Sequence, residues 1–199
     1  MKKTITILAS ILISGLGFYG CKKGANDPTL SFHTRKGRIT GEWKISSGTH
    51  TQSSGSSVST ETWTENSVTT TSAGGSSVGT NARYILTIVK DGTWKLDQSV
   101  TYSMGTTSAI YSTAASGTWN WIGGVGDAKK KSSIVLRTLQ QTDTNGGTAS
   151  VSTYTGDSAP TEVFYIDELK NKELKITADG TSTSGTTTTT DKSEYTFIQ

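Results

Sequence analysis

Read for the alternation of apolar and polar residues, the chain from Arg38 onward breaks into short runs of period two, separated by clusters of Gly, Ser, Asn and Asp. Successive side chains of a strand point to opposite faces, so each run describes a strand with one buried face. The first, over 39–45, puts Ile39, Trp43 and Ile45 on one side. The strongest pair, 84–89 and 93–96, is joined through Lys90-Asp91-Gly92, and Asp-Gly between two alternating runs is a hairpin signal. Further runs lie at 100–104, 116–122, 134–139, 163–166, 174–176 and 195–198, with a weaker one over 58–70 that holds Trp63. Eight to ten short strands with one apolar face must close or stack to bury that face and hide their edges. The reading is an all-β antiparallel up-and-down barrel over residues 37–199, with a β-sandwich as the alternative. The stretches 46–59, 70–80, 143–150 and 178–190 are rich in Ser, Thr and Gly and read as long wet hairpin loops, although residues 186–190 have the composition to extend a hairpin as strand.

Composition agrees with the pattern. Among 199 residues there are 37 Thr, 27 Ser, 5 Trp and 7 Tyr. Thr and the aromatics suit a pleated, half-buried surface, and the good helix formers are scarce, which excludes a helical bundle or a doubly wound α/β fold.

The N-terminus changes the picture. Lys2 and Lys3 precede an apolar stretch over 5–16 that is too short to span a bilayer comfortably, as in an export signal. Phe18-Tyr19-Gly20-Cys21 follows and resembles the lipobox of bacterial lipoproteins. That resemblance implies a signal peptide over 1–20, cleavage before Cys21, acylation of Cys21, and a membrane partner held through the N-terminal lipid. Two or three acyl chains at ~0.8 kcal/mol per buried CH₂ anchor far more firmly than one. Lys22, where inner-membrane retention would want Asp, points to the outer membrane. Residues 21–36 read as a polar tether with a helical turn starting at Asp27-Pro28, so that Leu30, Phe32 and Ile39 pack across one end of the domain. The chain carries 19 Lys and Arg against 16 Asp and Glu, and loss of Lys2 and Lys3 leaves a formal charge of +1, which is no footprint for nucleic acid. With one cysteine, acylated, no disulfide is expected.

For chemistry the sequence is sparse. His33 and His50 are the only histidines and sit in tether and loop, so no catalytic residue is assigned and no enzyme is read. No metal ligand set or cofactor motif is assigned. Asp143-Thr144-Asn145-Gly146 starts like a calcium loop but has Tyr154 where the closing Glu belongs, and reads as a plain turn. Gly123-Gly124-Val125-Gly126 has Asp127 where a phosphate loop wants Lys, and Lys129 to Lys131 form a solvated turn. Pockets are lined by apolar and aromatic groups, which makes Trp63, Trp94, Tyr102, Trp119 and Trp121 the ligand-binding candidates. Trp119 and Trp121 share one face of a strand, while Trp43 reads as core.

Gly41-Glu42-Trp43 resembles the Gly-x-Trp motif on the first strand of lipocalins. Asp91-Gly92-Thr93-Trp94, Gly117-Thr118-Trp119 and the later Tyr165-Ile166-Asp167-Glu168-Leu169 resemble, in order and spacing, the lipocalin-like lipoproteins of Gram-negative bacteria. The chain departs from the pattern in having no Thr-Asp-Tyr motif and no last-strand Arg over the first-strand Trp, a place Arg83 or Arg137 would have to fill. The resemblance implies a barrel closed near Gly41 and Trp43, with a mouth rimmed by loops. The functional expectation is a lipid-anchored, non-enzymatic binding module for a small apolar or amphipathic molecule. The alternatives are a filled barrel that contacts another envelope protein, or a surface glycan binder with Trp119 and Trp121 exposed together.

Overall fold

The computed structural model describes residues 34–122 and 132–199. The leader, Cys21, the Asp27-Pro28 turn, Leu30, Phe32, His33, the 123–126 turn and Lys129 to Lys131 lie outside the described residues. The elements are α1 (Arg35–Ile39), β1 (Gly41–Ser54), β2 (Ser57–Thr64), β3 (Ser67–Ser72), β4 (Gly75–Ile88), β5 (Thr93–Met104), β6 (Thr107–Ile122), β7 (Ser132–Asn145), β8 (Thr148–Thr153), β9 (Thr161–Leu169), β10 (Glu173–Ser184) and β11 (Thr187–Ile198).

All eleven strands belong to one antiparallel sheet, in the order β6-β5-β4-β3-β2-β1-β11-β10-β9-β7-β8. A β6–β7 ladder closes the ring, so the expected barrel is formed and the sandwich alternative falls. Closure removes sheet edges at the base, which is what a chain of amphipathic strands needs. The wall has two storeys. At the base, β1 pairs directly with β4 over Gly41 to Lys44, and the ring there runs β1-β4-β5-β6-β7-β9-β10-β11. From Ser47 upward β1 pairs with β2 instead, and the β2–β3 hairpin is wedged between β1 and β4. Asn81, at φ 51, makes the β4 bulge at this fork, and the Ala82 amide seals it by donating to the Asn66 carbonyl at 2.9 Å.

The stretches expected as long loops are strand instead, a correction with a simple cause. Ser and Thr on both faces satisfy a ladder as well as apolar residues do, and the turns are only two residues long: Ser54 pairs with Ser57, Asn145 with Thr148, and Ser184 with Thr187. Gly55, Gly105 and Gly185 each stand at the first turn position with φ near 60°, as a type II′ hairpin requires.

The base is plugged by α1, which is capped by Thr34 Oγ1 accepting from the Gly37 amide at 3.0 Å. Ile39 is fully buried, Arg38 Nη1 donates to the Leu169 carbonyl at 2.6 Å, and Arg35 lies 5.5 Å over the Trp121 ring. The core fills the lower storey: Trp43, Leu86, Ile88, Trp94, Trp119, Ile134, Leu136, Ile166, Leu174 and Phe197 are all buried.

Candidate functional site

All five sequence candidates point inward, but the structure divides them. Trp94 and Trp119 belong to the packed base: the Trp94 indole N–H donates to the Arg137 carbonyl at 3.2 Å and that of Trp119 to the Val89 carbonyl at 2.8 Å. Trp121, partly buried, meets Trp119 edge-on at 5.9 Å. Because Trp119 is only 3% exposed, the outward Trp pair that a glycan binder needs is not formed. Tyr102 sits higher and packs edge-on with Tyr111 at 5.6 Å. Gly41 and Trp43 stand at the base as expected, the Gln199 side chain filling the space beside Gly41, where φ is 145°. Neither arginine suggested for the base reaches it from inside. Arg83 is exposed and paired with Asp97 at 2.7 Å, and Arg137 donates to the Gly156 carbonyl.

Trp63 marks the level where the lumen changes character. Trp63 and Tyr84 meet edge-on at 5.5 Å, Tyr84 stands 5.5 Å from both Tyr195 and Phe197, and those two are 6.0 Å apart. These four rings form a floor across β2, β4 and β11. Gly48 makes room for it, since a Cβ there would overlap the Tyr195 ring. Strand parity sets what stands above. Glu61 is two residues from inward Trp63, Asp191 alternates with Ser193 and Tyr195, and Glu162 alternates with buried Phe164, so all three carboxylates face the lumen. Glu61 accepts weakly from the Trp63 indole at 3.4 Å, and Asp191 accepts from Gln52 at 2.9 Å.

The electrostatics of this level are one-sided. Burial, with the Tyr195, Glu162 and Glu61 charges behind it, holds the Tyr84 phenol well above its ordinary value. Burial likewise pushes Tyr195 up to about 12. Glu162 keeps access to solvent yet is walled in by the barrel, and that enclosure, then the Asp191 charge, raises its pKa. The basic residues of the strands point the other way. Lys44, Arg83, Lys175 and Lys192 pair on the outside with Glu42, Asp97, Glu168 and Glu194.

His50 brings a familiar set together, with Nδ1 2.9 Å from Ser193 Oγ and Nε2 3.9 Å from Asp191 Oδ1. The set lies within the wall. Ser193 pairs on one side with His50 of β1 and on the other with Ala178 of β10, which commits the neighbouring amides to ladders. Among the described residues no group of three His, Cys, Asp or Glu is placed to hold a metal. Asp143 closes β7 and accepts from Thr113 and Gln141, each at 2.7 Å, beside a recess of about 260 Å³ on the inner wall lined also by Gln98, Val100, Tyr111 and Asn145. Two other recesses, of about 320 and 390 Å³, lie on the outer face. No helix among the described residues is long and apolar enough to cross a membrane, and the outward strand positions carry the ion pairs just named.

Sequence reasoning missed Tyr84, Glu61, Glu162, Asp191 and Tyr195 as a set. The usable signal was parity, each carboxylate standing two residues from an inward aromatic or from a residue that alternates with one. No protein-family model matches the chain, and no curated protein or solved structure matches it significantly.

Proposed function

We propose that this protein is a lipid-anchored, lipocalin-like binding module of the outer membrane whose upper lumen receives a small amphipathic molecule. The observation that carries the reading is the two-storey lumen: a packed apolar base ends in the aromatic floor of Trp63, Tyr84 and Tyr195, and a polar wall rises above it. Pockets join apolar surface to a few converging polar groups in this way. The ligand set moves accordingly, from the Trp94, Trp119 and Trp121 group, which holds the base together, to the residues around Trp63. Anchoring through Cys21 fits the same orientation. Thirteen residue steps separate Cys21 from Thr34, a reach of at most ~45 Å, and the chain enters the barrel at its plugged end, which suits an anchor with the mouth turned away from the bilayer.

Native mass spectrometry of the full-length protein in a neutral detergent tests the binding reading: a stoichiometric mass increment that solvent extraction removes supports it, and a bare chain with Trp fluorescence unresponsive to added amphiphiles refutes it. Replacing Cys21 by Ser should release the protein from the membrane fraction. The second reading, a subunit that contacts another envelope protein, is favoured by a different observation. One edge of β10, from Ala178 onward on the side away from β11, and the outer edge of β8 have no ladder partner among the described residues.

A further inference from the structure

The sheet register sets a polar recess directly beside the aromatic floor. Tyr84 of the floor is the cross-strand neighbour of Gln98 on β5, Gln98 of Thr113 on β6, and Thr113 of Asp143 on β7. All four stand at inward positions, because Tyr84 and Gln98 lie two residues from buried Leu86 and Val100 and the ladders carry that face across. One row higher, Val100 pairs with Tyr111 and Tyr111 with Asn145. These two rows line the inner recess of about 260 Å³. Its chemistry narrows the occupant. The Asp143 carboxylate is already held, one oxygen accepting from Thr113 and the other from Gln141, each at 2.7 Å, so it does not call for a cation. No Lys, Arg or His lines the recess, so an anion finds no counter-charge there. What remains is neutral and directional. The side-chain amides of half-buried Gln98 and of Asn145 at the rim have no hydrogen-bond partner among the described residues, and the Thr113 oxygen can still accept while its proton goes to Asp143. Tyr111 and Val100 add an apolar wall, and Tyr111 is steadied by its edge-on contact with Tyr102 at 5.6 Å.

Resting on the binding-module reading, we infer that the recess holds a hydroxylated ring, a sugar or cyclitol unit, as the polar end of an amphipathic ligand whose apolar end lies on the Trp63, Tyr84 and Tyr195 floor. Each part matches the chemistry. Sugar hydroxyls donate and accept at once, as amides do, so Gln98 and Asn145 can each bond neighbouring hydroxyls through both oxygen and nitrogen. The C–H face of the ring packs on Tyr111 and Val100, which present apolar surface among the polar groups. Thr113 and Asp143, fixed in advance by their shared bond, lose little freedom when the ligand arrives. The volume suits one ring, since pockets for drug-sized ligands run to ~300–1,000 Å³.

The test uses full-length protein in a polyoxyethylene detergent, which carries no sugar, and ligand-observed NMR titrations of phenyl glucoside, phenyl galactoside, phenoxyethanol and phenyl phosphate. At least one glycoside should bind about tenfold or more tightly than phenoxyethanol and phenyl phosphate, which share its phenyl group. Gln98→Ala and Asn145→Ala should each weaken that binding about three- to tenfold, the loss of one or two hydrogen bonds, while Gln140→Ala on the outer face of β7 leaves it unchanged. Near-UV circular dichroism verifies that the variants remain folded. Phenoxyethanol or phenyl phosphate binding as tightly as the glycosides, glycoside binding indifferent to both recess variants, or a molecule without a hydroxylated ring found in the native mass spectrum overturns the sugar and leaves the binding module standing. Failure of every probe together with a bare native mass overturns both.

Discussion

The indole nitrogen of Trp43 donates to the Ile39 carbonyl at 2.7 Å, tying the first strand to the helix that plugs the barrel. Both residues are fully buried, so no water replaces the bond if it is lost. Trp43→Phe keeps an aromatic ring in the core and removes only the donor and some volume. Leaving a buried carbonyl unpaired costs about 1–3 kcal/mol. The expected result is a lower urea midpoint with an unchanged slope, and an unaltered midpoint would show that the plug does not depend on this bond.

Gly117 and Gly55 should respond differently to the same substitution. At Gly117 a Cβ would overlap the Arg137 carbonyl oxygen and crowd the Trp94 indole that donates to that oxygen. Neither neighbour can move without opening the β6–β7 ladder that closes the barrel. Gly117→Ala should therefore abolish folding or cost several kcal/mol, in the upper range for single substitutions. At Gly55 nothing lies within 4 Å, and the only penalty is the positive φ of 58°, about 1–2 kcal/mol. Chemical denaturation of both variants should give this order.

How much of this was legible depended on whether a strand has two different faces. The Tyr84 and Trp94 strands could be read, since buried and wet positions alternate and Asp91 accepts from the Thr93 amide at 2.9 Å to fix the turn between them. Upper β1 and upper β10 could not, and β2 and upper β11 showed only weakly, because both faces are wet there and Ser and Thr occupy both without contrast. Their turns did carry a signal, Gly followed by Ser or Thr at Gly55, Gly105 and Gly185, which marks a hairpin irrespective of its flanks. Alternation put Trp119 and Trp121 on one face without saying which, and the register places all five aromatic candidates on the inner side. Which of them pack the base and which meet the lumen depends on strand register and on the fork at Asn81, and no local pattern encodes either. Glu61 and Glu162 were invisible for the same reason: their meaning comes from facing each other's strands.

Tyr195 should make the fold sensitive to alkali. Its phenol is raised to about 12 by burial, against about 10 in an unfolded chain. Between those values the folded state holds a proton that the unfolded state has lost, so stability is full below about pH 10 and falls as pH rises toward 12. Absorbance at 295 nm should show Tyr84 and Tyr195 ionising only together with unfolding. Early, independent titration of all the tyrosines would contradict the enclosed floor.

Glu162 shifts in the same direction with a milder effect. Its raised pKa means the folded state binds the proton more tightly, so stability declines as pH climbs from the ordinary glutamate range through the raised value. The responsible groups are the barrel wall around it and Asp191, with Glu61, Tyr84 and Tyr195 also facing the same space. Glu162→Gln should flatten this slope and slightly raise the melting temperature at neutral pH, by a few tenths of a kcal/mol given its access to solvent. A lower melting temperature would show that the ionised carboxylate does not cost the folded state stability.

The seam between β8 and upper β10 is where the barrel is least secured. β9 pairs with β10 only as far as Thr177, and β8 pairs with β7 alone, so from Ala178 to Ser184 one edge of β10 has no ladder. The two strands run antiparallel and would complete the upper ring if they zipped, but their hydroxyl side chains supply no apolar face to drive it. Edge amides without partners open at little cost, whereas those within β10–β11 and β7–β8 are held. Hydrogen exchange should therefore alternate along 178–184 and 148–153, fast for amides directed at the seam and slow for those directed into the ladder. Uniform protection would show that the seam is closed in solution and would remove the main support for a protein partner at this edge. Alternating exchange that becomes uniform on adding an envelope extract would locate the partner's strand in the gap.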